Sequence, residues 1–205
     1  RERAQVLYDL GDALGWAGQA RPAFAAFEEA AETASDAGQR TLEWLTRIRR
    51  SSTQMLTNPH ARPTEEFREE LEQASRFFEE LGDDAALATV WTELAQIEWL
   101  PCRYERAEAA ARRAINHARR SGDERLLAAP LLISTGAQML GTASPVEGIR
   151  GLDDLAGDLA RSRQLEALAL LNRGYFAGMQ GSFAEARQMI GVSDATGAIT
   201  SEAGI

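Results

Sequence analysis

Residues 7–30 read LYDLGDALGWAGQARPAFAAFEEA, and this stretch decides the fold. Leu7, Leu10 and Leu14 recur at the three- and four-residue steps of one helix face, with Gly11 set among them. Gly18 ends that pattern, and five positions later Ala23 opens a second stripe that continues through Phe27 and Ala30. The two stripes read as two successive helices. Small side chains at Gly11 and Ala23 let their axes approach, while Leu7, Leu10, Leu14 and Phe27 are expected to fill the space around that contact.

The arrangement returns along the chain. Trp91, Leu94 and Ala95 lead to Cys102 and then Tyr104, Ala107, Ala111 and Ala114; Leu170 and Gly174 lead to Gly181, Phe183, Ala186 and Ile190. Looser copies of the second stripe occur at Phe67, Leu71 and Ala74, and at Gly148, Leu152 and Leu155, with Gly136 in the small position ahead of the latter. The crossing positions fall at Ala23, Phe67, Ala107, Gly148 and Ala186, with successive separations of 44, 40, 41 and 38. Gly38, Gly82 and Gly122 follow the second-helix stripes, where glycine takes the left-handed conformation at little cost. Ser144-Pro145-Val146-Glu147 and Ser182-Phe183-Ala184-Glu185 read as capping boxes. Residues Thr57 to Pro63 form a long connection with two prolines before a Thr64 cap, and Gly191, Gly197 and Gly204 are expected to fray the last helix.

These residues resemble the tetratricopeptide repeat, in which helix A carries a bulky residue, a leucine and a small residue, a glycine-like turn follows, and an alanine marks where helix B crosses. The resemblance implies an all-α, right-handed superhelical solenoid of antiparallel helix pairs. It implies about five repeats, at residues 2–38, 39–82, 83–122, 123–162 and 163–205, stretched to near 40 residues from the usual length of about 34. In the family the inner, concave wall is lined by helix A residues not needed for packing. Carried onto this chain, the partner-binding set is Gln5, Tyr8, Asp12 and Trp16, then Thr92, Gln96 and Trp99, then Leu171, Tyr175 and Met179. Gly15, Thr89, Leu100, Leu168 and Gly178 complete the same positions, with Ile133, Ala137 and Leu140 in the looser fourth copy. The lysines and asparagines of the family's peptide-carboxylate clamp are not matched. Cys102 stands at the turn glycine, which points to a small buried or half-buried side chain.

Composition excludes several functions. The chain of 205 residues has 44% hydrophobic and 26% charged residues, which suits a folded domain and not a disordered one. All 22 basic residues are arginine, the net charge is −9, and the one dense basic cluster is Arg47, Arg49 and Arg50. Three arginines within one helix read as a solvated or ion-paired face, so no direct nucleic-acid binding is expected. The single cysteine forbids an internal disulfide and suits a reducing cytoplasm. No stretch is apolar for the ~18 residues of a membrane span, so no membrane contact is expected. Starting without methionine and stopping in helix-like sequence, the chain reads as a piece of something longer.

Chemistry is sparse. His60 and His117 lack a metal-ligand partner at helical spacing, and Asp83-Asp84 and Asp153-Asp154 read as capping or solvated pairs. Cys102 has no base placed beside it by any motif, and no phosphate-binding glycine loop occurs. The expectation is no enzyme activity, no cofactor and no metal in this segment. The resemblance points to a protein-interaction or sensor module of a large bacterial regulator, of the LuxR-type or cyclase-linked signal-transducing ATPases, binding a protein, a peptide or other domains of its own chain. Two alternatives stand beside it: a self-associating scaffold forming a homodimer through the uncapped last repeat, and a small-ligand effector pocket in the superhelix. Ala107→Leu is expected to loosen or unfold the stack, and Trp99→Ala to weaken partner binding with a smaller fall in melting temperature. Equal, large falls would make Trp99 a core residue.

Overall fold

Alanine, leucine, glutamate and arginine dominate the chain, and such residues lose little side-chain freedom in a helix. The computed structural model describes residues 2–58 and 64–195, without the side chains of Trp16, Leu56, Asp194 and Ala195, and among these residues it contains helices and no strand. In chain order they are α1 (Glu2–Trp16), α2 (Ala20–Asp36), α3 (Arg40–Thr57), α4 (Thr64–Leu81), α5 (Asp84–Trp99), α6 (Tyr104–Ser121), α7 (Ala128–Leu140), α8 (Pro145–Asp154), α9 (Ala156–Leu159), α10 (Arg163–Met179) and α11 (Phe183–Ala195), with a 3-10 turn at Glu124–Leu126 before α7. Residues 59–63, including His60, and residues 196–205, including Gly197 and Gly204, lie outside the described part.

The chain divides into two compact units, one running to Glu93 and the other starting at Leu94. In the first, α2 packs against both α1 and α3, and α3 against α4; in the second, α7 packs against α6, α8 and α10, and α10 against α11. The buried stripes explain these partners. On α2 the stripe is Ala23, Ala26, Phe27, Ala30, Ala31 and Ala34, and on α6 it is Ala107, Ala110, Ala111, Ala114, Ile115 and Ala118. Both recur at three- and four-residue steps, so each helix presents one face that only a close neighbour can cover. Every crossing position read from the sequence is buried: Ala23, Phe67, Ala107, Gly148 and Ala186.

Glycine sets the closest approaches. A Cβ on Gly11 would lie 2.6 Å from the Phe27 ring, and one on Gly148 would lie 2.1 Å from Cζ of Phe176. Neither site can hold even a methyl group unless the ring moves. The turns use a different property of the residue. Gly18, Gly38, Gly82, Gly122 and Gly181 have φ between 64° and 84°, and Cys102 joins the series at φ 59°. Ser144 caps α8 in a full capping box with Glu147, and Asp83 Oδ1 accepts from the Ala86 amide at 3.0 Å.

Four expectations are corrected. Cys102 is exposed, because the left-handed turn that favours glycine there directs its side chain outward. Leu10 is also largely exposed and does not fill the Gly11 contact; that space belongs to Phe27. Gly191 does not break the last helix, since α11 runs through it to Ala195. The second helix of the fourth copy is shorter than the long helices a 40-residue period implies: it stops at Asp154, and Leu155 (φ −102°, ψ 0°) separates it from α9.

Gly148→Ala should lower stability by about 3 kcal/mol, the upper end for overpacking a well-filled core. Gly157→Ala, on α9 with nothing within 4 Å of the added carbon, should be neutral or raise stability by up to ~1 kcal/mol. Thermal melts of the two variants check the contrast.

Candidate functional site

Within the first unit, polar side chains from α1, α3 and α5 converge. Tyr8 and Asp12 stand one helical turn apart on α1, Arg49 and Ser52 three apart on α3, and Glu93 on α5. The Arg49 guanidinium donates from Nε to Asp12 Oδ1 at 2.8 Å and from Nη1 to Glu93 Oε1 at 2.6 Å. Ser52 Oγ donates to the other Glu93 oxygen, also at 2.6 Å. The Glu93 carboxylate is fully buried, so two charge-assisted bonds compensate its lost hydration. The guanidinium also lies 5.7 Å from the centre of the Phe27 ring, over a π face that attracts cations.

This setting shifts two titrating groups. Burial, aided by the negative charge of Asp12, pushes the Tyr8 hydroxyl above the ordinary phenol value, so Tyr8 stays neutral and able to donate. Burial works against the Arg49 charge, but Glu93 and Asp12 outweigh it and hold the guanidinium protonated. Tyr8 itself packs on Ala4, Ala34 and Leu42 and meets the Phe27 ring edge-on at 5.9 Å.

The neighbouring arginine is engaged as well. Arg47 pairs with the buried Glu70 at 3.2 Å, which also accepts from Ser51, and covers the Trp44 ring at 4.9 Å. The arginine cluster of α3 is therefore ion-paired at two of its three members. Among the described residues, no group of three or more His, Cys, Asp or Glu side chains could hold a metal ion. His117 Nδ1 lies 2.6 Å from Arg120, and among the described residues no helix is long and apolar enough to cross a membrane.

The structure gathers only part of the expected partner-binding set. Asp12 bonds Arg49, and Tyr8 packs edge-on against the Phe27 ring. Gln5 bonds Asp9 at 3.0 Å and borders a cleft of about 550 Å³ with Gln39, Arg40, Leu42 and Phe77. Thr92 spends its hydroxyl on the Ala88 carbonyl at 2.8 Å. The side chain of Trp16 lies outside the described residues.

In the second unit Gln96 is half-buried, and the Trp99 ring sits where a Cβ on Gly136 would be, 2.7 Å from its nearest atom, with Tyr104 edge-on at 5.2 Å. That seat gives Trp99 a packing contact. Leu171, Tyr175 and Met179 recur every four residues on α10; the first is half-buried and the other two are exposed.

Glu93, Ser52 and the central place of Arg49 were missed. One signal could have found them. The bonded pairs are separated by 37, 41 and 44 residues, near the spacing of the sequence pattern, so polar residues about that far apart on α1, α3 and α5 are candidates for contact. The second unit has the same habit: Arg119 bonds the buried Asp158 at 2.9 Å across 39 residues.

Comparison with protein-family models, curated proteins and solved structures finds no match to this chain.

Arg49→Met should cost about 3 kcal/mol, because it leaves the buried Glu93 carboxylate without its cation; residual exposure of the guanidinium keeps the loss at the low end for a broken buried pair. Glu93→Gln keeps the shape and an acceptor for Ser52 and should cost nearer 1 kcal/mol. Urea denaturation of both variants reads the difference, and equal losses would mean that packing and not charge holds these helices.

Proposed function

We propose that this chain is a non-catalytic protein-interaction or sensor module of a larger bacterial regulatory protein, built as a superhelical array of tetratricopeptide-like helix pairs. The reading rests on the α10 stripe of Leu171, Tyr175 and Met179. Exposed Tyr175 and Met179 continue half-buried Leu171 at helical spacing, and such a stripe suits the capture of a peptide or a protein segment. A tyrosine adds contact area with a hydrogen-bonding tip.

Tyr8, Asp12, Arg49 and Glu93 support the same reading in another way. Arg49 ties the Asp12 and Glu93 carboxylates together beside a neutral Tyr8, a brace that reads as a stiff surface and not a reaction centre. Partner binding would alter the state of neighbouring regulatory domains.

A photo-crosslinking residue in place of Met179, introduced in the native host, should yield a discrete adduct with one protein or one segment of the parent chain. Tyr175→Ala in that background should remove the adduct at least tenfold while leaving the melting temperature within a few degrees. Absence of an adduct, or one indifferent to Tyr175→Ala, would overturn the reading.

A further inference from the structure

The cleft beside Gln5 lies in the first unit, and none of Asp12, Arg49, Ser52 and Glu93 lines it. Its walls are the Gly38–Gln39 turn, the start of α3, and Phe77 and Leu81 from the end of α4. At about 550 Å³ it is large enough for a small organic molecule. Leu42 is buried, Leu45 and Phe77 are half-buried, and Leu81 is 56% exposed, so the apolar wall runs from the core out to solvent.

Among the described residues Arg40 is the one charged residue on the lining, in a chain whose net charge is −9. Its guanidinium lies 5.0 Å from the centre of the Phe77 ring, and among the described residues no carboxylate pairs with it. Arg47 and Arg49 on the same helix are both tied to carboxylates. Stacking on a ring orients a planar cation while its in-plane N–H groups stay available as donors. Gln39, at the turn, adds an acceptor. Its side-chain Oε1 is enclosed and receives no hydrogen bond, and the side chain does not cap α3. A donor brought to it removes the cost of an unmet buried acceptor.

We propose that this cleft binds a small apolar carboxylate. The carboxylate group meets the Arg40 guanidinium, and the hydrocarbon body lies along Leu45, Phe77 and Leu81. Gln39 Oε1 takes a hydroxyl or amide N–H where the ligand has one. Charge selects the class. A cation would face Arg40 with no carboxylate on the lining to receive it, and a neutral molecule would cover the guanidinium without replacing the water it loses.

The test is a nuclear magnetic resonance titration of the full 205-residue chain with sodium octanoate and with sodium mandelate, at constant ionic strength. Trp44, whose ring lies 6.2 Å from that of Phe77, reports occupancy through its indole N–H. At least one carboxylate should give saturable shifts at Trp44 and at the Gln39 and Arg40 side chains, with half-saturation below ~1 mM. The neutral methyl ester of the carboxylate that binds should be weaker by about tenfold or more. Arg40→Gln, at an exposed position, should remove the advantage of acid over ester. Leu81→Ala should weaken both.

Any of three results would overturn the inference: no saturable shift with either carboxylate, equal binding of acid and ester by the wild type, or binding that either substitution leaves unchanged. A cleft already filled in the free protein would overturn it as well. Overhauser contacts to Leu81 from another segment of the chain would reveal such an occupant, and shifts there that grow with protein concentration alone would reveal a second copy.

Discussion

At Gly11 and Gly148 a benzyl ring occupies the space where a side chain would begin, and the helix pairs on either side of those contacts owe their closeness to it. The Phe27 and Phe176 rings are fully buried at these points. Dispersion forces fall away within an ångström of separation, so a pair of helices held apart by one methyl group would lose contact along its length. The alanine stripes of α2 and α6 act by the same rule. Where small side chains line one face and large rings insert from the other, the interface fills without voids and without strained rotamers.

Close approach brings a second consequence. Helices at such distances bring polar side chains from successive A-type helices within hydrogen-bonding reach, and the structure uses this to brace itself. Arg49 spans two carboxylates from different helices, Asp12 and Glu93, with separate nitrogens of one planar group. A lysine ammonium has no such fixed fork, so an arginine-only basic repertoire suits a fold tied together by geometry as well as charge. The cost of burying Glu93 is offset only while both partners stay in place. Register between helices is therefore specified by polar contacts, and their proximity by apolar ones. Tyr175 and Met179, exposed on α10, lie outside this bracing.

Much of the architecture was legible because a helix pair is a local object. Ala23, Ala107 and Ala186 are buried on the second-helix stripes their spacing indicated, and the turn glycines fall after the helices they were read to end. The candidate site was legible in part. Tyr8 and Asp12 could be named from one helix face, and Arg49 read as part of a solvated or ion-paired run, but that it pairs with Asp12 and Glu93 was not legible. Cys102 read as a packed residue because it occupied a glycine's place, when the shared requirement was the backbone angle. Leu10 read as core because its helix face is apolar, and that face has no covering helix among the described residues.

What the sequence alone determined was the helical class, most of the places where helices start and stop, and the small residues buried on their faces. Each depends on neighbours within a few positions, through hydrogen-bond periodicity, turn geometry and the volume of a single side chain. Tertiary structure alone decided that Arg49 joins Asp12 to Glu93 and that Trp99 rests on Gly136. Those outcomes depend on residues about one period away. No local pattern encodes the angle and distance at which two helices pack, and it is that packing which turns equivalent positions into a brace, a core contact or an open face.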